Sequence, residues 1–344
     1  MIPVFLPYKD EIREPQLVLA GDVGGTKANL ALFKVLGEDM EMLYNNRYPS
    51  SEYDTFTDIV LQFIKDCKQT PDKICLGVAG PVIKGTVEFT NLNWKVSTDE
   101  IISKTGIQKV MLINDLEATA YGLACLKDED IYTISDGVKQ TEGNIAIIAP
   151  GTGLGEAGMF KSRSAYHPFA TEGGHSEFAP RTQQDIKLLQ HLQSTEGVVS
   201  WEHVISGPGI YRIYEFLRDV EQMDEPAWLT EMLQEESNAS AVVSKMAIEK
   251  KAEICQHTMH LFVEYLARES ASLVLKLKSV GGLFIGGGIP PKIINLLQTD
   301  LFFKTFLDCD RMQDLIKEVP VYVVLNDNTA LLGAGLYGAY VIAS

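Results

Sequence analysis

An asparagine and an aspartate stand side by side at Asn114 and Asp115, directly after the apolar run VMLI and before the helix-like segment LEATAYG. A carboxylate in this position can accept a proton from a substrate hydroxyl, and the adjacent amide can donate and accept hydrogen bonds. Asp115 could equally be the N-cap of the following helix, because aspartate is a preferred capping residue. These two residues alone leave both interpretations open.

Two glycine-rich turns each join a pair of apolar segments, GDVGGTK near the N-terminus and GTGLG in NIAIIAPGTGLGEAGMF. Apolar residues resume directly after each turn, which predicts strand, turn, strand and not the strand-to-helix turn of dinucleotide-binding motifs. Two similar hairpins indicate an internally duplicated fold. A third glycine cluster, in FIGGGIPPK, follows another buried strand and precedes a predicted helix opened by two prolines.

These turns carry residue types that suit phosphoryl transfer from a nucleotide. The reaction needs backbone donors around the phosphates, a carboxylate for a metal and a base near the attacking hydroxyl. Glycines let backbone N–H groups approach a phosphate closely, and a threonine adds a hydroxyl donor. One such turn is common in hairpins, so the prediction depends on their occurring together. The predicted nucleotide-binding residues are Asp22, Gly24, Gly25, Thr26, Lys27, Gly151, Thr152, Gly153, Gly286, Gly287 and Gly288.

Bulk properties restrict the class of protein. A chain of 344 residues with 46% hydrophobic composition favours two domains. The formal net charge of -16, without any basic block, argues against nucleic acid or an anionic membrane as partner. Five scattered cysteines without a CxxC pair indicate reduced thiols and no metal-binding group. Neither a signal-peptide pattern nor a membrane-spanning apolar run is evident, so we expect a cytoplasmic protein.

The remaining segments predict an α/β chain in two parts. A helix is predicted over 54–68, and helical patterning dominates 183–277. The chain closes with a strand and a helix of small residues, and the segment NDN, Asn326–Asn328, is suited to cap that helix. We predict a small α/β domain formed by 1–125 with 329–344, and a large α/β domain over 126–328 that holds an α-rich insertion.

Seven motifs, in order, resemble those of bacterial-type glucokinases, a branch of the actin, Hsp70 and sugar kinase superfamily. They are GDVGGTK, INDLEATAYG, APGTGLGEAG, EGGHSEFAP, SGPGI, FIGGGIPPK and NDNTALLGAG. The resemblance extends over nearly the whole chain from about Leu17. It implies a two-domain actin-like ATPase fold of the ribonuclease H-like type, with an active-site cleft between the domains. The implied reaction transfers the γ-phosphate of ATP to the 6-hydroxyl of glucose with Mg²⁺.

The resemblance also implies roles for individual residues. Asp115 corresponds to the general base and Asn114 to a sugar-binding amide. Glu172 and His175 in EGGHSEFAP, and Glu202 in VSWEHVISGPG, correspond to further sugar contacts. Such a set suits a pyranose, because each of its hydroxyls both donates and accepts hydrogen bonds.

The segment FTNLNWKVS resembles a sugar-side loop of the family. Asn91 and Asn93 are further candidates there, with turn formation as the alternative, and Trp94 is predicted to lie in the core. The chain departs from the family pattern at Lys27 and Asn29, where the family often has asparagine or threonine and then arginine; Lys27 could supply a charge of its own.

Other functions remain open at this stage. The related ROK sugar kinases carry a cysteine-rich zinc motif after their histidine, whereas SEFAPR follows His175, so no structural zinc is expected. A kinase for another hexose, a sugar-binding regulator or a partner-moving ATPase would share the superfamily. Regulators usually add a helix-turn-helix before the first glycine turn, and only about sixteen residues precede it here. The resemblance implies a homodimer.

Overall fold

The computed structural model of the protein describes residues 2–9, 12–37, 39–89, 94–138 and 142–341. The strands in these ranges are β1 (Gln16–Val23), β2 (Lys27–Leu36), β3 (Asp39–Pro49), β4 (Lys73–Val78), β5 (Thr86–Glu88), β6 (Lys95–Ser97), β7 (Val110–Asn114), β8 (Ile131–Ser135), β9 (Ile145–Pro150), β10 (Leu154–Ser162), β11 (Ala165–Thr171), β12 (Gly282–Ile285) and β13 (Val321–Val324). The α-helices are α1 (Phe56–Cys67), α2 (Thr98–Thr105), α3 (Asp115–Gly122), α4 (Gln183–Glu196), α5 (Gly207–Asp219), α6 (Ala227–Glu235), α7 (Ala239–Ile248), α8 (Glu253–Leu277), α9 (Ile294–Leu297), α10 (Asp300–Leu307), α11 (Gln313–Lys317) and α12 (Thr329–Tyr340).

The chain divides into two compact units. The first comprises Met1–Glu129, Ser162–Ala170 and Asn326–Ser344, and the second comprises Asp130–Lys161 and Thr171–Leu325. The sequence-based division placed 1–125 and 329–344 in one domain. The structure differs mainly at Ser162–Ala170, where Tyr166 pairs with Val4 and donates a 2.8 Å backbone hydrogen bond to Pro3.

The first unit is built on a five-stranded sheet of order β3-β2-β1-β4-β7. The first three strands form antiparallel pairs, whereas β4 and β7 run parallel to β1. Side chains alternate between the two faces of a strand, so each face has its own core. Leu19 belongs to the cluster that contains Phe63 of α1, and Val18 and Ala20 belong to the cluster that contains Ala334 of α12.

Helix α12 packs closely against α3 because glycines lie where the two helices meet. A Cβ atom at Gly333 would collide with the carbonyl oxygen of Ala118, and one at Gly122 would collide with that of Thr329. The buried Lys73 holds the end of α12, since its Nζ donates a 2.7 Å hydrogen bond to the Ala339 carbonyl. These contacts hold α12 on the sheet and hold α3, which follows β7, against α12.

The second unit contains strands in the order β10-β9-β12-β13-β8. Strands β9, β12 and β13 are parallel neighbours, and β10 and β8 pair with them in antiparallel fashion. Helices α4 to α8 fill 183–277, which confirms the predicted α-rich region. Their core holds Tyr214, Phe262 and Tyr265, all fully buried.

Several local predictions are confirmed and one is wrong. The helix predicted over 54–68 is α1, with a capping box between Thr55 and Asp58. Asn328 stands at the N-cap of α12 without a side-chain capping bond, so its predicted capping role is wrong. The Asn326 side chain accepts from the Asn328 N–H instead, at 2.9 Å.

All five cysteines are free thiols. In the described ranges, no helix has the length and apolar character needed to cross a bilayer.

Candidate active site

The N-cap of α3 is Asn114, not Asp115. Its Oδ1 atom accepts hydrogen bonds from the backbone N–H groups of Leu116 at 2.8 Å and Glu117 at 3.3 Å. The capping interpretation of Asp115 is therefore wrong. Asp115 is the first helical residue, and its Oδ1 accepts a 2.9 Å bond from Leu116 N–H. The capping bonds occupy the carbonyl end of the Asn114 amide, so the Nδ2 end is the one that can serve a ligand.

Asp22 and Asp115 lie at the same edge of the first unit's sheet. Asp22 is in register with Gly77 on the parallel strand β4, and Gly77 is in register with Ile113 on β7. The carboxyl ends of β1 and β7 thus flank the end of β4. A Cβ atom at Gly77 would lie 3.0 Å from the Ala118 Cβ and 3.7 Å from the Asp115 Cα. Glycine at this position therefore lets α3 begin close over the sheet edge.

Asp22 is held by a chain of polar contacts across three strands. The Asn29 Nδ2 atom donates to its Oδ2 at 3.0 Å, and the Arg47 Nε atom donates to the Asn29 Oδ1 at 2.7 Å. Burial raises the pKa of Asp22, the Asn29 bond and the charges of Lys27 and Arg47 oppose that shift, and the nearby Asp327 adds to it. Asn29, which departs from the family pattern, thus links the carboxylate to an arginine on β3.

The first glycine turn is the tip of the β1–β2 hairpin. Gly24 N–H donates to the Lys27 carbonyl at 3.0 Å, and Ser50 N–H donates to the Thr26 carbonyl at 3.0 Å. The side chains of Thr26 and Lys27 are exposed. The turn that contains Gly24, Gly25, Thr26 and Lys27 therefore presents a hydroxyl and an ammonium group beside Asp22.

The other two glycine turns meet within the second unit. Gly151–Gly153 joins β9 to β10, and Gly286–Gly288 follows β12, the parallel neighbour of β9. Gly286 N–H donates to the Ile148 carbonyl at 2.8 Å. Gly287 has φ +83° and its Cβ would collide with the Pro150 carbonyl, whereas nothing lies within 4 Å of a Cβ at Gly151 or Gly288.

The N-terminus of α5 also reaches the glycine turn at 151–153, because Gly207 N–H donates to the Gly151 carbonyl at 2.8 Å. Ser206 caps α5 by accepting from Gly209 N–H at 3.0 Å. The side chain of Thr152 is exposed beside the turn. Glycine turns with open space and a nearby helix N-terminus form an arrangement that suits phosphate groups.

Two adjacent 3₁₀ turns hold the predicted sugar contacts: Glu172 directly precedes the turn Gly173–His175, which ends at His175, and Glu202 lies in the turn Trp201–His203. The chain segments beside these turns pair through the Glu177–Ser200 bridge and a 3.0 Å bond from Trp201 N–H to the Ser176 carbonyl. The side chains of Glu172 and His175 are exposed.

Glu202 is partly buried and contacts the glycine hairpin. Its Oε2 atom accepts a 2.8 Å hydrogen bond from Leu154 N–H, and a Cβ at Gly153 would collide with the same atom. The structure therefore joins a residue predicted for the sugar to a turn predicted for the nucleotide, a contact that sequence reasoning missed.

Each unit thus assembles its own part of the predicted set. The first holds Asp22, Asn114, Asp115 and the turn 24–27, and the second holds both other glycine turns with Glu172, His175 and Glu202. Trp94 is buried in the core as predicted. Asn91 and Asn93 lie outside the described residues. Asp327 lies near enough to Asp22 to raise its pKa, but the sequence analysis placed it only in a segment suited to cap α12. The sequence feature that could have indicated this position is an acidic residue shortly after the end of strand β13.

Comparison with known proteins gives consistent matches. A family model described as Glucokinase matches residues 19–340. A glucokinase of Nostoc punctiforme is 38% identical over 337 residues, which cover 94% of this chain and 99% of that protein. The crystal structure of a glucokinase from an Antarctic psychrotroph is 31% identical with a TM-score of 0.78, and the match covers 93% of this chain and 97% of that one.

A ROK family glucokinase from Streptomyces griseus, solved with glucose and AMPPNP, is 20% identical with a TM-score of 0.64; 94% of this chain and 99% of that chain are covered. These similarities confirm the predicted α/β fold of the actin-like class. The family match extends over most of the chain and includes every motif from GDVGGTK onward. The chain belongs to the glucokinase family.

Proposed function

We propose that this glucokinase transfers the γ-phosphoryl group of ATP to the 6-hydroxyl of glucose with Asp115 as the general base. The observation that carries this assignment is the Asn114 cap. Because Asn114 satisfies the first N–H groups of α3, the helix does not require a carboxylate at Asp115 for capping. Asp115 also stands at the sheet edge where Asp22 and the first glycine turn lie.

In the proposed step, an Asp115 carboxylate oxygen accepts the proton of the glucose 6-hydroxyl. The hydroxyl oxygen forms a bond to the γ-phosphorus as the bond from that phosphorus to the bridging oxygen breaks. The electron pair of the broken bond leaves with ADP, and glucose 6-phosphate is the other product.

We assign the sugar contacts to Asn114, Glu172, His175 and Glu202. The Asn114 Nδ2 can donate to a sugar oxygen while its Oδ1 caps the helix, and one carboxylate oxygen of Glu202 remains for a sugar hydroxyl while Oε2 accepts from Leu154. Together with the exposed Glu172 and His175, these groups offer both donors and acceptors to a polyol.

We assign the phosphates of ATP to the turns at 24–27 and 151–153 and the nucleoside to the turn at 286–288. Mg²⁺ typically uses one or two carboxylates together with substrate phosphates. Asp22, with Asp327 nearby, fits that requirement, and the described residues contain no group of three or more metal-binding side chains that would hold a metal without the nucleotide. Bound with ATP there, Mg²⁺ would neutralise phosphate charge.

The test is a coupled assay of ADP formation with ATP, Mg²⁺ and glucose, run on the wild type and on Asp115→Asn. We expect turnover to fall roughly a hundredfold or more, because the amide cannot accept the proton. Thermal melting and calorimetric glucose binding should stay close to wild type. Turnover near the wild-type rate in Asp115→Asn would overturn the assignment.

A parallel assay with mannose, fructose and N-acetylglucosamine distinguishes the alternatives. A preference for another hexose would redefine the substrate, and sugar binding without any phosphorylation would indicate a regulator. The homodimer implied by the resemblance stays a prediction, which sedimentation velocity would test.

A further inference from the structure

Two buried carboxyl groups interact within the second unit, and one of them lies against the turn between Glu172 and His175. Glu156 on β10 is 1% exposed, and Glu269 on α8 is 0% exposed. The Lys276 Nζ atom lies 2.8 Å from the Glu269 Oε1. Among the described residues, no group outside this pair donates a hydrogen bond to the Glu156 Oε1 or the Glu269 Oε2 atom.

One ammonium group cannot neutralise two buried carboxylates. Two such groups in contact titrate as a pair, and the pair keeps one proton because a second buried negative charge is costly. Burial and, next, the charge of Glu269 raise the pKa of Glu156 to about 8, while Lys276 opposes the shift. Burial also raises the pKa of Glu269, and this shift is opposed first by Lys276 and then by hydrogen bonds from Glu156 and Ser272.

Glu156 contacts the turn both through its side chain and through its backbone. A Cβ at Gly173 would collide with the Glu156 Oε2 atom. The Thr171 Oγ1 donates to the Glu156 carbonyl at 3.0 Å and accepts from Gly173 N–H at 3.2 Å. Ser176 closes the turn by donating from Oγ to the Gly173 carbonyl at 2.7 Å. The position of the Glu156 carboxyl group therefore constrains the backbone between Glu172 and His175.

We infer that Glu156 is a positioning residue for glucose, which supports the Gly173–His175 turn through a proton that it shares with Glu269. The inference rests on the proposed function, since it takes Glu172 and His175 as sugar contacts. Loss of the shared proton leaves two buried negative charges beside Lys276. The Glu156 carboxylate then moves away from Glu269, and the turn that lies against it moves with it.

The consequence is a glucose affinity that falls with rising pH, with a smaller effect on turnover at saturating glucose. If only the protonated pair binds well, the Kd should rise roughly tenfold one pH unit above the titration. In Glu156→Gln the amide donates permanently to the Glu269 carboxylate, so glucose affinity should match the wild type near pH 7 and stay flat to pH 9.

The experiment is calorimetric titration of glucose without nucleotide, from pH 6.5 to 9, on the wild type, Glu156→Gln and Glu156→Ala. Glu156→Ala should bind glucose about tenfold more weakly at every pH while it still melts cooperatively. Glu253→Gln, an exposed position on the same helix α8, is the control and should keep the wild-type pH dependence. If Glu156→Gln does not fold, Glu269→Gln carries the same test, because it also leaves a permanent donor in the pair.

A wild type with flat affinity, or a Glu156→Gln protein with the wild-type pH dependence, would overturn this inference and leave the proposed function standing. A wild type that binds no glucose would overturn both. Rescue of the alanine defect by glutamine, together with loss of the pH dependence, would support the positioning role, since a change that only weakened the fold would not restore affinity in this pattern.

Discussion

The carboxylate of Glu202 accepts a 2.8 Å hydrogen bond from the backbone N–H of Leu154, the residue that follows the glycine turn 151–153. The same oxygen fills the space where a side chain at Gly153 would begin. A residue assigned to the sugar therefore also fixes a turn assigned to the nucleotide. Changes at this carboxylate should affect both ligands.

We predict that Glu202→Ala raises the KM for glucose and the KM for ATP, each by roughly five- to a hundredfold. The change removes a sugar contact and leaves Leu154 N–H unpaired, and each such loss costs about 1–3 kcal/mol. Glu202→Gln keeps an oxygen that accepts from Leu154, so its KM for ATP should stay near wild type. Glu172→Ala is the control for a sugar contact alone and should raise only the KM for glucose. An unchanged KM for ATP in Glu202→Ala would contradict the structural link.

Alanine substitutions in the glycine cluster 286–288 should distinguish a glycine that the fold requires from a glycine that the nucleotide site requires. Gly287→Ala should lower stability, because φ is +83° and the Cβ would collide with the Pro150 carbonyl. Gly288→Ala has open space around its Cβ, so its melting temperature should match the wild type. If the nucleoside approaches this turn, Gly288→Ala should still raise the KM for ATP. Steady-state kinetics and thermal melts of both variants test these expectations. An unchanged KM for ATP in a stable Gly288→Ala protein would show that Gly288 is not part of the nucleotide site.

The Asn114 side chain offers a test of its two roles. Asn114→Ala removes the cap of α3 and should cost about 1 kcal/mol of unfolding free energy as well as glucose affinity. Asn114→Asp restores the cap, because aspartate caps about as well as asparagine. It lacks the Nδ2 donor, so its stability should recover while its glucose affinity stays low. Recovery of both in Asn114→Asp would show that Asn114 only caps the helix.

The buried pair also predicts a pH dependence of stability. The pKa of Glu156 in the folded protein is raised to about 8 from the ordinary 4.5, so the folded state binds more protons than the unfolded state between these values. The contribution of Glu156 to the free energy of unfolding is therefore largest below pH 4.5, falls as the pH rises toward 8, and levels off above pH 8. Denaturant unfolding of the wild type and Glu156→Gln at pH 5.5 and 8 should show the wild type losing more stability. An equal loss in both proteins would contradict the assignment.

Much of the local structure follows from the sequence. Apolar runs that resume directly after GDVGG and GTGLG predict the β1–β2 and β9–β10 hairpins, because alternating burial in a strand leaves a pattern readable over a few residues. Thr55 and Asp58 mark the start of α1 in the same way. Asp22, Asn114 and Asp115 stand at the ends of apolar runs, so their place at a sheet edge is also predictable from neighbouring residues.

The pairing of side chains from distant elements was decided only by the tertiary structure. The bond between Glu202 and Leu154 joins residues 48 apart in the chain, and the Asn29–Arg47 contact depends on a β2–β3 register that shifts between Leu32 and Phe33. The choice of Asn114 over Asp115 as the cap turned on the extended backbone of Asn114 at φ -64° and ψ 147°. Nothing in the sequence distinguishes Glu156 and Glu269 from other acidic residues, and only the packed second unit excludes water from both. A sequence determines which groups are available, whereas hydrogen bonds and proton sharing depend on distances of about 3 Å that only the packed chain sets.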